Sequence, residues 1–297
     1  MYKLKKVSSL ISFLRVCFAF SFLFSAYTKF ISPGFFEITL MDQGLADSRL
    51  IAAHLGRFFI GLEFGLGLLL LFPFYTRKLV GLSLILLFGF TVHLLYLWSI
   101  GETENCGCFG EMISMTPIQS VAKNIFLIAL GIVLFLKSTK QKKGIWVLSL
   151  VFFFVISSQW LLLPIPNHNE HSFSAYTHFE KIGRVDILSG EKWIAVFNLD
   201  CEHCQDAAAA IGRVQKETGS AFPQVYALYF MEGGFSVEDF EEITQAAFPY
   251  AMIEINTFFN LIGESPPRLY KLMDGKIQQY WDQDLAGAIR RSIEKSK

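Results

Sequence analysis

The chain has 297 residues, a formal net charge of zero, 53% hydrophobic residues and a mean hydropathy of +0.41. That is too apolar for a soluble protein of this length, and a neutral chain has no electrostatic footprint for nucleic acid. The apolar residues are unevenly spread. A shift near Pro164–Pro166 divides a membrane part from a soluble part.

The first apolar run is 8–31, behind Lys3, Lys5 and Lys6. It meets the roughly 20 residues of helix that a bilayer core requires. A signal peptide has a similar front end, but Arg15 and Lys29 interrupt this run and further spans follow. Those are 50–72, 79–100, 117–136 and 144–163, which predicts about five transmembrane helices. Positive charge sets the orientation. Lysines at the amino terminus, Arg77 and Lys78, and Lys137, Lys140, Lys142 and Lys143 fall on one side, the cytoplasmic one. The opposite loops, 33–49 and 102–115, are poor in Lys and Arg and carry Glu37, Asp42, Asp47, Glu102, Glu104 and Glu111. Loop 102–115 and everything after Pro166 are therefore expected outside the cytoplasm, on the periplasmic side of a bacterial inner membrane. The expected division is a four-helix membrane domain over 1–143, a fifth helix and linker over 144–166, and a periplasmic domain over 167–297.

Ionisable residues inside spans are costly and call for a reason. Counted from the inner ends of their spans, Arg15 and Glu63 differ by roughly 5 Å in depth and could pair, in a structural rather than a catalytic role. His54 and Arg57 are three apart on one helix face. With His93 and Lys123 they fall in the outer halves of their spans, where they could line a polar pocket or reach for water as end-of-span residues. Cys17, mid-span, reads as a buried inert thiol.

The soluble part begins with His168, His171 and His178, read as a solvated linker rather than a metal site. Trp193–Leu199 is a strand-length apolar run, followed by Asp200-Cys201-Glu202-His203-Cys204 and a helix-forming alanine run, Ala207–Ala210. Further strands are expected over 224–230, 250–255, 268–273 and 276–281, and helices over 237–248 and 283–295. The order suggests an α/β domain with a mixed sheet. Two cysteines three apart at a strand–helix junction lie close enough for a disulfide. The helix amino terminus favours a thiolate on the first. Cys201 would attack and Cys204 resolve. A static disulfide and half of a metal site are the alternatives.

Residues 193–204, with Pro267 eight residues before Gly275 and ahead of a hydrophobic strand, resemble the thioredoxin fold over about 120 residues. The resemblance implies that Pro267 is a cis-proline facing the cysteines and helping to dock a client. Many thioredoxins have Trp before the first cysteine, where this chain has Asp200. Asp200 and Glu202 oppose a thiolate and a protonated His203 favours one.

The stretches 14–33, 61–78 and 106–127 resemble the DoxX-like and MauE-like membrane proteins. The last is the most specific: CGCFG, a proline opening the next span, then Lys-Asn. MauE-like proteins are associated with disulfide formation in a periplasmic enzyme subunit. Cys106 and Cys108 can bond only across a tightly bent backbone, which Gly107 permits. So small a loop stabilises little when closed, which argues for exchange over a static bridge. Binding of a metal by the pair is the alternative.

The leading expectation is a membrane thiol–disulfide oxidoreductase. Cys201–Cys204 would meet client proteins outside the cytoplasm, and Cys106–Cys108 would pass electrons between that pair and a membrane partner. Quinone is the candidate cofactor, held near His54, Arg57 and His93, and membrane lipid is the surrounding partner. The alternatives are a soft-metal carrier handing on Cu(I) and an assembly factor that only binds clients.

Overall fold

In a computed structural model, which describes residues 2–73, 76–102, 106–138, 145–165 and 171–295, the chain divides into two units, Met1–Ile165 and Pro166–Lys297. Glu104, Lys140, Lys142, Lys143, Pro166 and His168 lie outside the described residues.

The first unit is helical: α1 (Tyr2–Ile31), α2 (Pro33–Asp42), α3 (Arg49–Leu70), α4 (Thr76–Ser99), the short strand β1 (Cys108–Glu111), α5 (Pro117–Lys137) and α6 (Ile145–Leu162). Among the described residues, α1, α3, α4 and α5 are long and apolar enough to cross a membrane. Helix α6, with 18 residues, carries no charge, has Ser149, Ser157, Ser158 and Gln159 as its polar residues, and is about 27 Å long at 1.5 Å per residue. It lies against α3 across Gly61 and Gly65, where a Cβ would come within 2.8 Å of Ile156 Cα and 2.7 Å of the Phe152 ring. Small residues four apart let two membrane helices approach this closely. The apolar core runs through Phe18, Phe22, Leu66, Leu70, Val80, Leu87 and Leu134.

Helix α2 falls in a stretch expected to be loop. Pro33 starts it at the position where a missing N–H costs nothing, and it buries Phe36, Glu37, Thr39 and Leu40. It covers the end of the bundle where α1 finishes. That lid explains a correction. Lys29, close to the end of α1, is buried beneath it and pairs with Glu63, Nζ lying 2.7 and 2.8 Å from the two carboxylate oxygens. Arg15 does not meet Glu63; its Nη2 donates to the Leu71 carbonyl at the other end of the bundle. Counting depth from the inner edges of the apolar runs failed because those edges are not level: Arg15, well inside the first run, meets Leu71 at the very end of α3. Cys17 is likewise not buried: it is exposed on the outside of α1, the face left to lipid.

The second unit holds a five-stranded sheet in the order β6-β5-β4-β7-β8. The strands are β4 (Glu191–Asn198), β5 (Val225–Phe230), β6 (Tyr250–Met252), β7 (Arg268–Met273) and β8 (Lys276–Trp281). β4, β5 and β6 are mutually parallel; β7 runs antiparallel to β4, and β8 to β7. Helix α7 (Glu202–Thr218) connects β4 to β5, α8 (Val237–Thr244) connects β5 to β6, and α10 (Leu285–Lys295) ends the chain. A βαβ unit joined to a hairpin and a final helix is the thioredoxin-like arrangement.

β5 and the 193–197 stretch of β4 are apolar throughout because both faces are covered. Trp193, Ala195 and Phe197 pack toward α7, α8 and α10. On the other face Phe173 packs on Tyr270, Phe179 on Tyr226, and Phe258 on Phe230. Phe179 belongs to a small hairpin, β2 (His178–Phe179) and β3 (Gly183–Arg184), and Phe258 to α9 (Ile255–Leu261). Neither element was expected; each is short and carries its signal in one or two aromatic residues. Helix α8 stops four residues before the expected Phe248 because Gln245 turns left-handed, φ 52°.

Candidate functional site

Each unit carries one cysteine pair. In the second, β4 ends at Asn198 and Cys201 is the amino-terminal cap of α7. Cys204, one turn on, is fully buried in the core beneath α7, and its sulfur accepts from Asn198 N–H at 3.4 Å. Cys201 is half-buried. A hydrogen bond from the Cys204 thiol holds Cys201 well below the ordinary thiol range, at about 6. Backbone N–H groups of Cys204 and His203 and the charge of His203 act in the same direction, and burial opposes them. Burial pushes Cys204 up, and a thiolate on Cys201 adds to that.

Asp200 has a structural part that its place in the motif did not announce. Its Oδ2 accepts from the N–H groups of Glu232 (3.0 Å) and Gly233 (3.3 Å), and its Oδ1 from Gly234 (2.7 Å) and Phe235 (3.0 Å). The carboxylate is committed to this one loop after β5. Gly234 approaches so closely that a Cβ there would lie 2.4 Å from Oδ1.

The Pro266–Pro267 peptide bond is cis. Since Arg268 pairs with Val196 in the β4–β7 register, Pro267 lies one step beyond, at the end of the sheet from which Cys201 emerges.

In the first unit, Cys106-Gly107-Cys108 folds over the lidded end of the bundle. Gly107 has φ +67° and presses on Thr39 of α2; a Cβ there would meet Thr39 Cγ2 at 2.7 Å. Gly110, φ +56°, lies as tightly on the Thr28 carbonyl of α1. These contacts explain the glycines of CGCFG: both need the left-handed region and both lie against a helix. Polar groups hold the turn. Gln43 Nε2 donates to Cys106 O at 3.0 Å, Ser25 Oγ to Cys108 O at 2.9 Å, and Cys106 N to Met115 O at 2.9 Å. Cys106 is buried, its sulfur 2.9 Å from Ser120 Oγ; Cys108 is half-buried. The Cys106 thiol donates to Cys108, which lowers Cys108 and raises Cys106. Lys123, Ser120 and Lys29 lower Cys108 further against the effect of burial.

Both cysteines border a cavity walled by Phe22, Phe36, Phe90 and Leu127, with Lys29, Glu63, His93 and Lys123 among its polar groups. His93 and Lys123 thus stand where the sequence suggested; His93 Nε2 lies 3.2 Å from Gln43 Oε1. His54 and Arg57 do not line it. Their helix phase turns them toward α2 and α6 instead. His54 Nδ1 accepts from Trp160 Nε1 at 2.8 Å. Arg57, 1% exposed, donates to Glu37 Oε1 (2.8 Å) and to the carbonyls of Leu163 (2.6 Å) and Pro164 (3.1 Å). Sequence reasoning missed Lys29, Ser25, Gln43 and Ser120. Two left a signal: Lys29 as a charge inside an apolar run, and Ser120 three residues before Lys123 on one helix face.

The fold and the paired cysteines define a multi-pass membrane protein with a thioredoxin-like carboxyl-terminal unit and one cysteine pair in each unit. Residues 7–137 match the family model described as "Methylamine utilisation protein MauE". The chain is 30% identical over 331 aligned positions to Protein TlpB of Flavobacterium psychrophilum, covering 91% of this chain and 90% of that protein, and it belongs to the same family. The solution structure of a thiol:disulfide interchange protein from Bacteroides sp. aligns with 41% of this chain and 86% of its own, at 12% identity and a TM-score of 0.31.

Proposed function

We propose that the protein relays electrons between Cys201–Cys204 and Cys106–Cys108 outside the cytoplasm and so supports disulfide formation or maturation of extracytoplasmic client proteins. One observation carries the reading: in each pair one thiol is half-buried, Cys201 or Cys108, and the other is buried, Cys204 or Cys106, which favours a thiolate on the first and a thiol on the second. Thiolate attack and thiol resolution need that division of roles.

Written in one direction, the Cys108 thiolate attacks the Cys201 sulfur of a Cys201–Cys204 disulfide. The S–S bond breaks and its electron pair leaves on Cys204. Cys106 then attacks Cys108, closing the second disulfide and releasing the Cys201 thiolate; its proton ends on Cys204. The reverse direction passes through the same Cys108–Cys201 mixed disulfide.

The orientation that puts both pairs outside is supported by the ends of the bundle. Arg77 stacks over Phe135 near Lys137, opposite the end that carries Cys106. The carboxyl-terminal unit is accordingly read as periplasmic and the amino terminus as cytoplasmic, in the inner membrane. The cavity's aromatic walls and its donors Lys29, His93 and Lys123 fit a quinone ring and its carbonyl oxygens. A bound quinone would supply a two-electron acceptor beside the Cys106–Cys108 pair.

Trapping tests the relay. Cys204→Ser or Cys106→Ser in the full chain should accumulate a Cys108–Cys201 bridge, seen as a mobility shift reversed by reductant. If neither variant yields the bridge while the wild type turns over, the two pairs work separately.

A further inference from the structure

Two lysines share the cavity with Cys108, and their surroundings differ. Lys29 has both oxygens of Glu63 within 2.8 Å and also donates to Ser25 Oγ at 2.9 Å; the side chains of Lys29 and Glu63 are each 4% exposed. Its charge is compensated whatever the redox state of the cysteines. Lys123 is half-buried on α5, has no carboxylate within salt-bridge distance among the described residues, and sits 4.3 Å over the ring of Phe109, the neighbour of Cys108. Ser120 and Lys123 are three apart on one face of α5, so one helix brings Ser120 to Cys106 and Lys123 to the cavity that Cys108 borders.

We propose that Lys123 is the counter-cation of the Cys108 thiolate, whereas Lys29 is a structural cation neutralised by Glu63. The inference rests on the proposed exchange chemistry only in giving Cys108 a thiolate to stabilise. Charge accounting supports it. With Cys108 as thiolate, Lys29, Glu63, Lys123 and Cys108 sum to zero. Closing the disulfide removes the one anion opposite Lys123 and leaves the Lys29–Glu63 pair as it was. Lys123 therefore favours the reduced pair and makes its disulfide more oxidising. The other titratable groups facing Cys108 are Cys106 on its own turn and His93 from α4. Glu37 of α2 is held by Arg49 and Arg57, Arg15 of α1 is at Leu71, and the described part of α6 has no titratable side chain. The strength of the two lysines toward Cys108 follows the same order, Lys123 before Lys29.

The test uses the full reduced chain in lipid nanodiscs, alkylated across a pH series, with modification of Cys108 read by mass spectrometry. Lys123→Met should raise the pH midpoint by about one unit, a tenfold lower thiolate fraction below it. Lys123→Gln should do the same and Lys123→Arg should restore the wild-type profile. In a glutathione redox buffer, Lys123→Met should shift the pair toward disulfide by a similar factor. Lys29→Met with Glu63→Leu, which removes the ion pair as a unit, should move the midpoint less. Profiles of Lys123→Met and Lys123→Gln that superimpose on the wild type overturn the proposal, as does a larger shift in the double variant. The readout needs no partner pair, so failure to trap a Cys108–Cys201 bridge would sink the relay and leave this inference standing.

Discussion

Substitution of Asp200 separates two roles that the sequence alone confuses. Each carboxylate oxygen of Asp200 accepts two backbone N–H groups of the loop Glu232–Phe235. Hydrogen bonds to a charged acceptor are worth about 1.5–3 kcal/mol each when buried. Most of this loop is open to water, which replaces a lost partner, so about 0.5–0.8 kcal/mol each is more apt. Asp200→Ala should then free the loop by about 2–3 kcal/mol, a factor of roughly 30–150 in the opening equilibrium. Asp200→Asn should be no milder. Its amide oxygen keeps two of the four bonds, but its NH₂ turns a donor on the other two donors.

Amide hydrogen exchange of Gly233, Gly234 and Phe235 in the full protein in micelles measures the opening. The pH midpoint of Cys201 alkylation, followed in parallel, should move little in both variants, because the groups that lower Cys201 are Cys204 and His203. If Asn protects the loop as Asp does, or if either variant lowers the Cys201 midpoint strongly while exchange stays unchanged, Asp200 acts by charge and the clamp reasoning is wrong.

The remaining predictions concern the two turns. Cys201 is depressed to about 6 from an ordinary value of 9.0, so its alkylation should be fast at pH 7 and fall away as pH drops through about 6. By the same sign, the reduced unit should gain stability as pH rises from about 6 toward 9; a flat stability profile over that window contradicts the depressed thiol. Gly107→Ala must hold a left-handed residue and push on Thr39, a cost of about 2–4 kcal/mol from strain and overpacking. It should lower the melting temperature in micelles and slow exchange at Cys108, and a wild-type melting curve would show that the turn is looser than described.

What could be read from the sequence was local. The spans announce themselves by length and hydropathy, and α7 by the alanines after Cys204. Both turns show in the spacing of Cys201, Cys204, Cys106 and Cys108, and the place of Pro267 in its distance to Gly275. What could not be read depends on which helices are neighbours. Glu63 has a cationic partner, but Lys29 rather than Arg15, since α2 buries the end of α1. Arg57 shares a helix face with His54, yet that face meets α6 and α2, not the cavity. Helix α2 itself was hidden because Glu37 and Thr39 break its apolar pattern, and both are buried for reasons outside the helix.

Those two residues give α2 its place in the proposed relay. Glu37 bridges Arg49 (2.7 Å) and Arg57 (2.8 Å), and Arg57 in turn holds the carbonyls of Leu163 and Pro164 just past the end of α6. Further along the same helix, Thr39 supports Gly107 and Gln43, at its carboxyl-terminal cap, supports Cys106. A buried ionic cluster is weak evidence for stability, because apolar replacements often do as well; its use is to fix one arrangement among several. Here it fixes the point where the chain leaves the bundle for the second unit, at the end of the bundle that carries the CGC turn. An exchange between tethered pairs gains from a high effective concentration only if the tether starts within reach of its target. The Glu37 cluster ties that starting point to the same short helix that braces Cys106 and Gly107.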